Sequence, residues 1–339
     1  MISFFVALSM ELRFELKNLQ LKETFSIAYG NYDKREALLV ALSHQGCKGY
    51  GECVAIDYYQ IDLQVFVSTL KKIKSTFESQ KIIHPKEFFR FLSNLHLHPF
   101  LQSALDCAYW DLFGKLENKS CIELNNLPFD HLAESSITIS IGSIDEQIRK
   151  IEKSSWHCFK VKCNGLNMNH IEKLLSLQKN IALDSNASLT VNDCLILQEY
   201  TQVDQFSYLE QPMPVGHYQI LKKDSFANWM ADEDCQNIAS LEELIPYYKS
   251  INIKLMKCGG LTPALEMINK GRELGYKIMI GCMTESTVGI SAACILAGLA
   301  DYSDLDGAEL IANDYARGNF VDKGKIILSD KPGLGIEIK

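Results

Sequence analysis

The sequence predicts an α/β protein: a (β/α)8-type barrel carrying an N-terminal α+β capping domain. Three observations lead there. Up to about residue 56 apolar and polar residues alternate as in strands. From Leu63 to Glu117 the apolar residues recur at helical spacing. From Ser136 onward short apolar runs and helical stretches take turns along the chain.

Glu11–Leu16 alternates cleanly and is the first strand; Ala37–Leu42 is the second. Gly46, Gly49 and Gly51 then punctuate a short third strand near Tyr50. Between the first two strands, Phe25–Tyr32 is rich in Gly, Asn and Tyr and reads as a surface turn rather than a substrate lid. The run Ala104–Leu112 places apolar residues at i, i+3, i+4 and i+7, the stripe of an amphipathic helix. Residues 10–130 are thus the capping domain and 131–319 the barrel, with 320–339 expected to pack back on the cap. The barrel strands are Ile137–Ile141, Cys158–Lys162, Ile181–Asp184, Phe206–Glu210, Trp229–Asp232, Ile251–Lys254, Lys277–Gly281 and Ser303–Asp306. They recur roughly every 22 to 27 residues, and eight such periods in about 170 residues fit a compact (β/α)8 barrel. A doubly wound open sheet would want a Gly-rich phosphate turn after its first strand, and Gly142-Ser143 is not one.

Apolar residues make up 47% of the chain, enough for a substantial core. The net charge of -8 argues against nucleic acid or an anionic membrane surface as partner. The 11 cysteines are odd in number and scattered, with no Cys-x-x-Cys pair or zinc-like spacing, which suits reduced thiols in a cytoplasm. Met1–Ser9 is apolar but too short to span a bilayer and has no basic leader, and Met10 is an alternative start. A cytoplasmic protein acting on a small molecule is expected, with a homo-oligomer left open.

The chemistry is expected at the strand ends, because side chains at the C-terminal ends of barrel strands surround one pocket. In Phe159-Lys160-Val161-Lys162 the two lysines share a strand face. The following strands end in Asp184, Glu210, Asp232 and Lys254, and the last carries Asp304 and Asp306. Left unpaired, these charges would repel or suffer desolvation. Three carboxylates from successive strands make a hard oxygen cage of the kind Mg2+ prefers. Lys162 and Lys254, on the second and sixth strands, would face each other across a substrate held at the centre. One amine then removes a proton from carbon and the other returns it on the opposite face. Lys160 supplies positive charge to the enolate, and neighbouring cations are expected to lower a lysine pKa toward neutrality. A Schiff-base lysine enzyme is the alternative, though it has no need of the three carboxylates.

These residues carry a resemblance. Lys160-Val161-Lys162, Leu183-Asp184-Ser185-Asn186, Leu209-Glu210-Gln211-Pro212, Ala231-Asp232-Glu233 and Asn252–Lys257 resemble the muconate-lactonising-enzyme subgroup of the enolase superfamily, over nearly the whole chain from Met10. The resemblance implies Asp184, Glu210 and Asp232 as Mg2+ ligands, Lys162 and Lys254 as the acid/base pair, and Lys160 as the supporting cation. Ser303-Asp304-Leu305-Asp306 is similar to the Asp-x-Asp of the dipeptide epimerases, which grips a dipeptide's ammonium. Thr284 and Met283 fall in the family's seventh-strand segment, and Thr138 and Ile56 are further candidates at the substrate. Family members acting on a C-terminal glutamate place an arginine at the position aligned with Gly30. Without it, Tyr29, Ile56, Tyr58 and Tyr59 suggest an apolar or aromatic second residue, while Asp33, Asp57 and Asp62 leave a cationic one open. The barrel helices look shorter than usual, and Asn125-Asn126 stands where a Gly pair often closes the cap. Rival readings are o-succinylbenzoate synthase or an N-acylamino-acid racemase, whose substrates give Asp304 and Asp306 no ammonium, and a catalytically inactive peptide-binding barrel.

Overall fold

The alternation that begins at Glu11 runs well past Leu16. In the computed structural model, which describes residues 10–339, β1 (Glu11–Ile27), β2 (Gly30–His44) and β3 (Cys47–Val54) form an antiparallel sheet in that order. The reading of Met1–Ser9 lies outside the described residues. The β1–β2 ladder extends from Glu11↔Ser43 to Ile27↔Gly30, with a register break between Gln20 and Phe25. Such a break bends the strand that carries it, and beyond it the hairpin reaches the barrel, where Ile141 N donates to Ser26 O at 3.1 Å. Phe25–Tyr32 is therefore the tip of a long hairpin laid against the barrel, not a free surface turn.

Helices α1 (Leu63–Glu78), α2 (Pro85–Ser93) and α3 (Pro99–Glu117) follow. Asp62 caps the first by accepting from Gln64 N, and His84 and His98 cap the other two ahead of a proline at the first turn. α3 departs from the amphipathic stripe its sequence suggests: from Phe100 to Leu112 only Gln102 is not buried. It lies between the sheet and the barrel helices, so it has no solvent face over that span. Gly49 and Gly51 make this approach possible, since a Cβ there would stand 2.2 Å from Ala108 O and 2.0 Å from Ala104 O. Of the three glycines read as punctuation, these two are helix-contact positions, and Gly46 alone occupies the turn. A short α4 (Cys121–Asn125) ends the cap.

Eight parallel strands come next: β4 (Ile137–Ile139), β5 (Cys158–Lys162), β6 (Asn180–Asp184), β7 (Leu209–Glu210), β8 (Trp229–Ala231), β9 (Ser250–Lys254), β10 (Lys277–Gly281) and β11 (Tyr302–Asp304). Each pairs with its neighbour in sequence order, and a bridge between Ser135 and Ser303, with Ser136 N donating to Ser303 O at 2.9 Å, closes the ring. β7 is shorter than the predicted Phe206–Glu210, because Thr201–Gln205 coils into a 3-10 turn that Phe206 terminates.

The outer layer consists of α5 (Ile144–Lys153), α6 (Met168–Ser176), α7 (Val191–Glu199), α8 (Leu241–Leu244), α9 (Leu255–Cys258), α10 (Leu261–Glu273) and α11 (Thr287–Cys294). After β7 a 3-10 turn, Tyr218–Ile220, stands in for a helix. The short helices leave a cavity of about 190 Å³ beside β5–β7, walled by Val161, Leu174, Leu183 and Leu197 among others. α10 is capped from the cap domain: Asp106 of α3 accepts from Thr262 N and Thr262 Oγ1, both at 2.8 Å.

The last segment forms β12 (Ala316–Arg317), β13 (Phe320–Asp322), β14 (Lys325–Ile327) and β15 (Glu337–Ile338). Gly333 exchanges backbone hydrogen bonds with Lys119 and Cys121, and Leu334 N donates to Asp111 of α3 at 2.8 Å. No helix among the described residues is long and apolar enough to cross a membrane.

Candidate active site

Parallel register decides which side chains meet at the barrel mouth. Lys162 is level with Asp184, and Asp184 with Glu210; Gly281 is level with both Lys254 and Asp304. These residues end their strands, so they form one ring at the C-terminal rim. Lys162 is on the second and Lys254 on the sixth of eight strands, so the two stand on opposite sides of the ring.

Inside the ring the charges pair. Lys162 Nζ bonds Asp184 and donates to Asn186 Oδ1 at 3.0 Å. Lys254 Nζ donates to Asp232 Oδ2 at 2.7 Å, while Lys257 holds Asp232 Oδ1 and the Asp232 carbonyl. Lys160 bonds Asp304 and lies 3.7 Å from Asp184 and 3.8 Å from Glu210. Asn252 Nδ2 donates to Glu210 Oε1 at 2.8 Å. The three carboxylates read as one oxygen cage are thus divided among lysines, and among the described residues no three His, Cys, Asp or Glu side chains are gathered to hold an ion. One oxygen is left over: Glu210 Oε2 is buried without a hydrogen-bond partner. A buried carboxylate oxygen in that state asks for a cation. With Asp184 beside it in register, and Asp232 just past the end of β8, the donors are all hard oxygens that suit Mg2+.

The electrostatics correct one expectation. Burial works to lower Lys254, but the charges of Asp232 and Glu210 outweigh it and hold the amine above its ordinary range. Burial of Lys160 is likewise outweighed by Asp304, Glu210 and Asp184. Neither lysine is brought toward neutrality, because each touches a carboxylate whose charge dominates. Burial would raise Asp232, yet Lys254 and Lys257 hold it well below the usual range. Glu210 has a lysine only at 3.8 Å, Lys160, and burial together with Asp184 and Asp232 outweighs it and pushes the carboxyl up to about 8.

The pocket over this ring is lined from the barrel by Lys160, Lys162, Asp232, Lys254, Thr138, Met283, Thr284, Asp304 and Asp306, and from the cap by Tyr29 and Ile56. Asp304 also accepts from Ser136 Oγ at 2.8 Å, and Asp306 accepts from the backbone N–H of Thr138 at 2.7 Å. Asp184 and Glu210 sit beneath the pocket floor, tied to Lys162 and Asn252. Gly30 is absent from the lining; it pairs with Ile27 at the hairpin tip.

Several residues escaped the sequence reading. Lys257 had a signal, its i+3 spacing from Lys254 on the turn after β9. Asn186 and Asn252 lie inside quoted motifs but only the fold shows them joining Lys162 and Glu210. Glu233, which accepts from Tyr29 OH at 3.0 Å and Asn186 Nδ2 at 3.3 Å, ties the hairpin to the barrel. Arg35, in the polar run Asp33-Lys34-Arg35-Glu36, gave no signal, because charges on a hairpin strand read as solvated; it lines the pocket and is only 6% exposed.

Comparison with known proteins gives this rim a context. Residues 144–339 match the family described as enolase C-terminal domain-like. An L-Ala-D/L-amino acid epimerase of Flavobacterium johnsoniae is 34% identical, covering 95% of this chain and 97% of the relative. Another L-Ala-D/L-amino acid epimerase, from a Maribacter species, is 32% identical over 97% of this chain and 99% of its own length. Among solved structures, a dipeptide epimerase from Enterococcus faecalis complexed with Mg and the dipeptide L-Leu-L-Tyr superposes with a TM-score of 0.85 at 25% identity, covering 97% of this chain and 99% of that one. Barrel, rim and relatives together define an isomerase of the racemase and epimerase class. The chain belongs to the dipeptide epimerase family of the enolase superfamily.

Proposed function

We propose that this protein is a Mg2+-dependent epimerase that inverts the α-carbon of the second residue of a dipeptide, using two lysines as acid and base. The observation that carries the reading is the placement of Lys162 and Lys254 on opposite sides of a ring whose floor holds a buried, unpartnered Glu210 oxygen. The names of the relatives, and the magnesium and dipeptide in the E. faecalis structure, support it.

The dipeptide's ammonium goes to Asp304 and Asp306 on the β11 side. Its α-carbon lies between the amines, so one lysine takes the proton from its own face and the other delivers a proton to the opposite face. Which lysine serves as base depends on the configuration of the incoming substrate. Lys160, charged and buried beside Glu210 and Asp184, stabilises the negative charge that develops on the substrate carboxylate. A divalent cation held by Asp184, Glu210 and Asp232 would supply charge at the same carboxylate, and two of those residues are the ones that pair with Lys162 and Lys254. From the cap, Tyr29, Ile56 and Tyr58 cover the pocket and offer an apolar and aromatic wall to the second side chain. The cysteines are free among the described residues, which fits a reducing, cytoplasmic setting.

The test incubates the protein with Mg2+ and a dipeptide library in D2O. A mass gain of one deuteron (~1 Da) confined to the second residue is expected. Exchange only in N-acyl amino acids would move the assignment to a racemase of those substrates. No exchange in either set would leave the peptide-binding reading.

A further inference from the structure

Lys162 stands where the backbone ladder of the barrel runs out. β4 pairs with β5 as far as Ile139↔Val161, one residue short of Lys162. Continued for one more step, the parallel pattern would have Ile141 N donate to Lys162 O. That N–H goes instead to Ser26 O of the cap hairpin, at 3.1 Å. A side chain takes its place: Gln147 of α5 donates from Nε2 to Lys162 O at 2.9 Å and to Ser140 O at 3.0 Å. One amide thus clamps the ends of two strands, giving both of its N–H donors to carbonyl oxygens.

Two further features tie Gln147 to this bond rather than to packing. The buried face of α5 is Ile144, Gln147 and Ile151, so a polar side chain, 5% exposed, interrupts an apolar stripe. The cavity beside β5–β7 reaches both Gln147 and Lys162, so close packing alone would leave this strand end room to shift. Lys254 is held differently: it is level with Gly281 in the β9–β10 ladder and passes straight into α9. We propose that Gln147 is a positioning residue for Lys162. By fixing the carbonyl of that residue it sets where the amine stands against the α-carbon, and it serves proton transfer on one face of the substrate only. Gln147 is not part of the substrate pocket wall, so its effect passes through the backbone of Lys162. The proposal rests on the two-lysine reading above. A reacting group misplaced by about 1 Å can lose on the order of 100-fold in rate, and loosening this clamp is expected to cost on the order of 10-fold.

The test uses Gln147→Met, which keeps the volume and loses both donors, and Gln147→Glu, whose carboxylate keeps the length and donates nothing. With Mg2+ in D2O, α-hydrogen exchange with retention is followed in the L,L and L,D forms of the Ala dipeptide that exchanges fastest in the library. Net epimerisation crosses both faces and cannot separate them; exchange with retention can. The configuration that Lys162→Ala no longer exchanges is the one facing Lys162. In both Gln147 variants kcat for that configuration should fall on the order of 10-fold, with the other changed by less than about twofold and both KM values unaltered. The two rates come from one preparation, so an inactive fraction cancels in their ratio. Equal falls for both configurations would make Gln147 merely structural and overturn the proposal. So would unchanged rates, or a loss confined to the face of Lys254; in each case the two-lysine reading would stand. Exchange of both configurations by Lys162→Ala would instead remove that reading, and this proposal with it.

Discussion

Tyr29 at the tip of the cap hairpin donates a hydrogen bond across 3.0 Å to Glu233 on the barrel, the residue next to Asp232. The Tyr29 ring stacks on Tyr58 at 4.5 Å, so one contact fixes both the hairpin and the start of the following loop. The contact joins two residues that line the pocket, one from the cap and one from the barrel, so its expected effect is on closure rather than on proton transfer. Tyr29→Phe keeps the stack and loses the hydrogen bond. KM for a dipeptide should rise about fivefold with kcat changed by less than about twofold. Hydrogen exchange of residues 25–32 should speed up in the same variant. A drop in kcat with KM unchanged would mean that the hydrogen bond serves the chemistry instead.

Opposed lysines make a prediction that one shared base does not. Lys162→Ala and Lys254→Ala should each abolish epimerisation. Each variant should still wash deuterium into one configuration of the second residue, the one whose α-proton faces the surviving amine, and the two variants should show opposite preferences. If a single variant exchanges both configurations, the two-base assignment fails.

In the proposed site the leftover oxygen of Glu210 would hold the ion. Dialysis against EDTA should bring exchange to background, and Mg2+ should restore it. Independently of turnover, calorimetric titration of Glu210→Gln with Mg2+ should show affinity reduced by more than about tenfold. Unaltered Mg2+ binding in that variant would place the ion elsewhere.

Asp106 gives a pH dependence remote from the rim. Burial pushes its carboxyl up to about 7, although Thr262 and Leu261 donate to it. The folded chain therefore holds a proton that the unfolded chain releases from about pH 4 upward. More protons bound when folded means that stability falls as pH rises through this window and levels off above the folded value. Glu52, pushed up to about 7, and Glu285, to about 8, act in the same direction. Urea unfolding from pH 5 to 8 should show falling stability. In Asp106→Asn the slope should be shallower by up to about 1.4 kcal/mol per pH unit. An identical slope would show that Asp106 does not titrate there.

The barrel was legible in the sequence because its strands are short apolar runs set between helical stretches; Lys162, Asp184, Glu210, Lys254 and Asp304 end their strands as predicted, while Asp232 lies just past β8 and Asp306 just past β11. Lys162 and Lys254 could be placed opposite each other by counting strands alone. Where the reading stopped, the reason was contact between distant parts of the chain. Gly49 and Gly51 look like turn residues until α3 is seen lying on them. Phe25–Tyr32 looks like a turn until the register break at Gln20 bends it onto the barrel. Lys254 looks like a base near neutrality until Asp232 is found 2.7 Å away. Arg35 is indistinguishable from its solvated neighbours Asp33 and Lys34 until the cap closes over it.

α3 is interior to both halves of the molecule. Trp110 packs in the barrel core while Ala104, Leu105 and Leu112 pack in the cap core, and Asp106 between them caps α10. The two halves consequently share a spine instead of a hinge. Heating should melt them in a single calorimetric transition, and a gene fragment encoding the barrel alone would expose the seat of that helix and come out as aggregate.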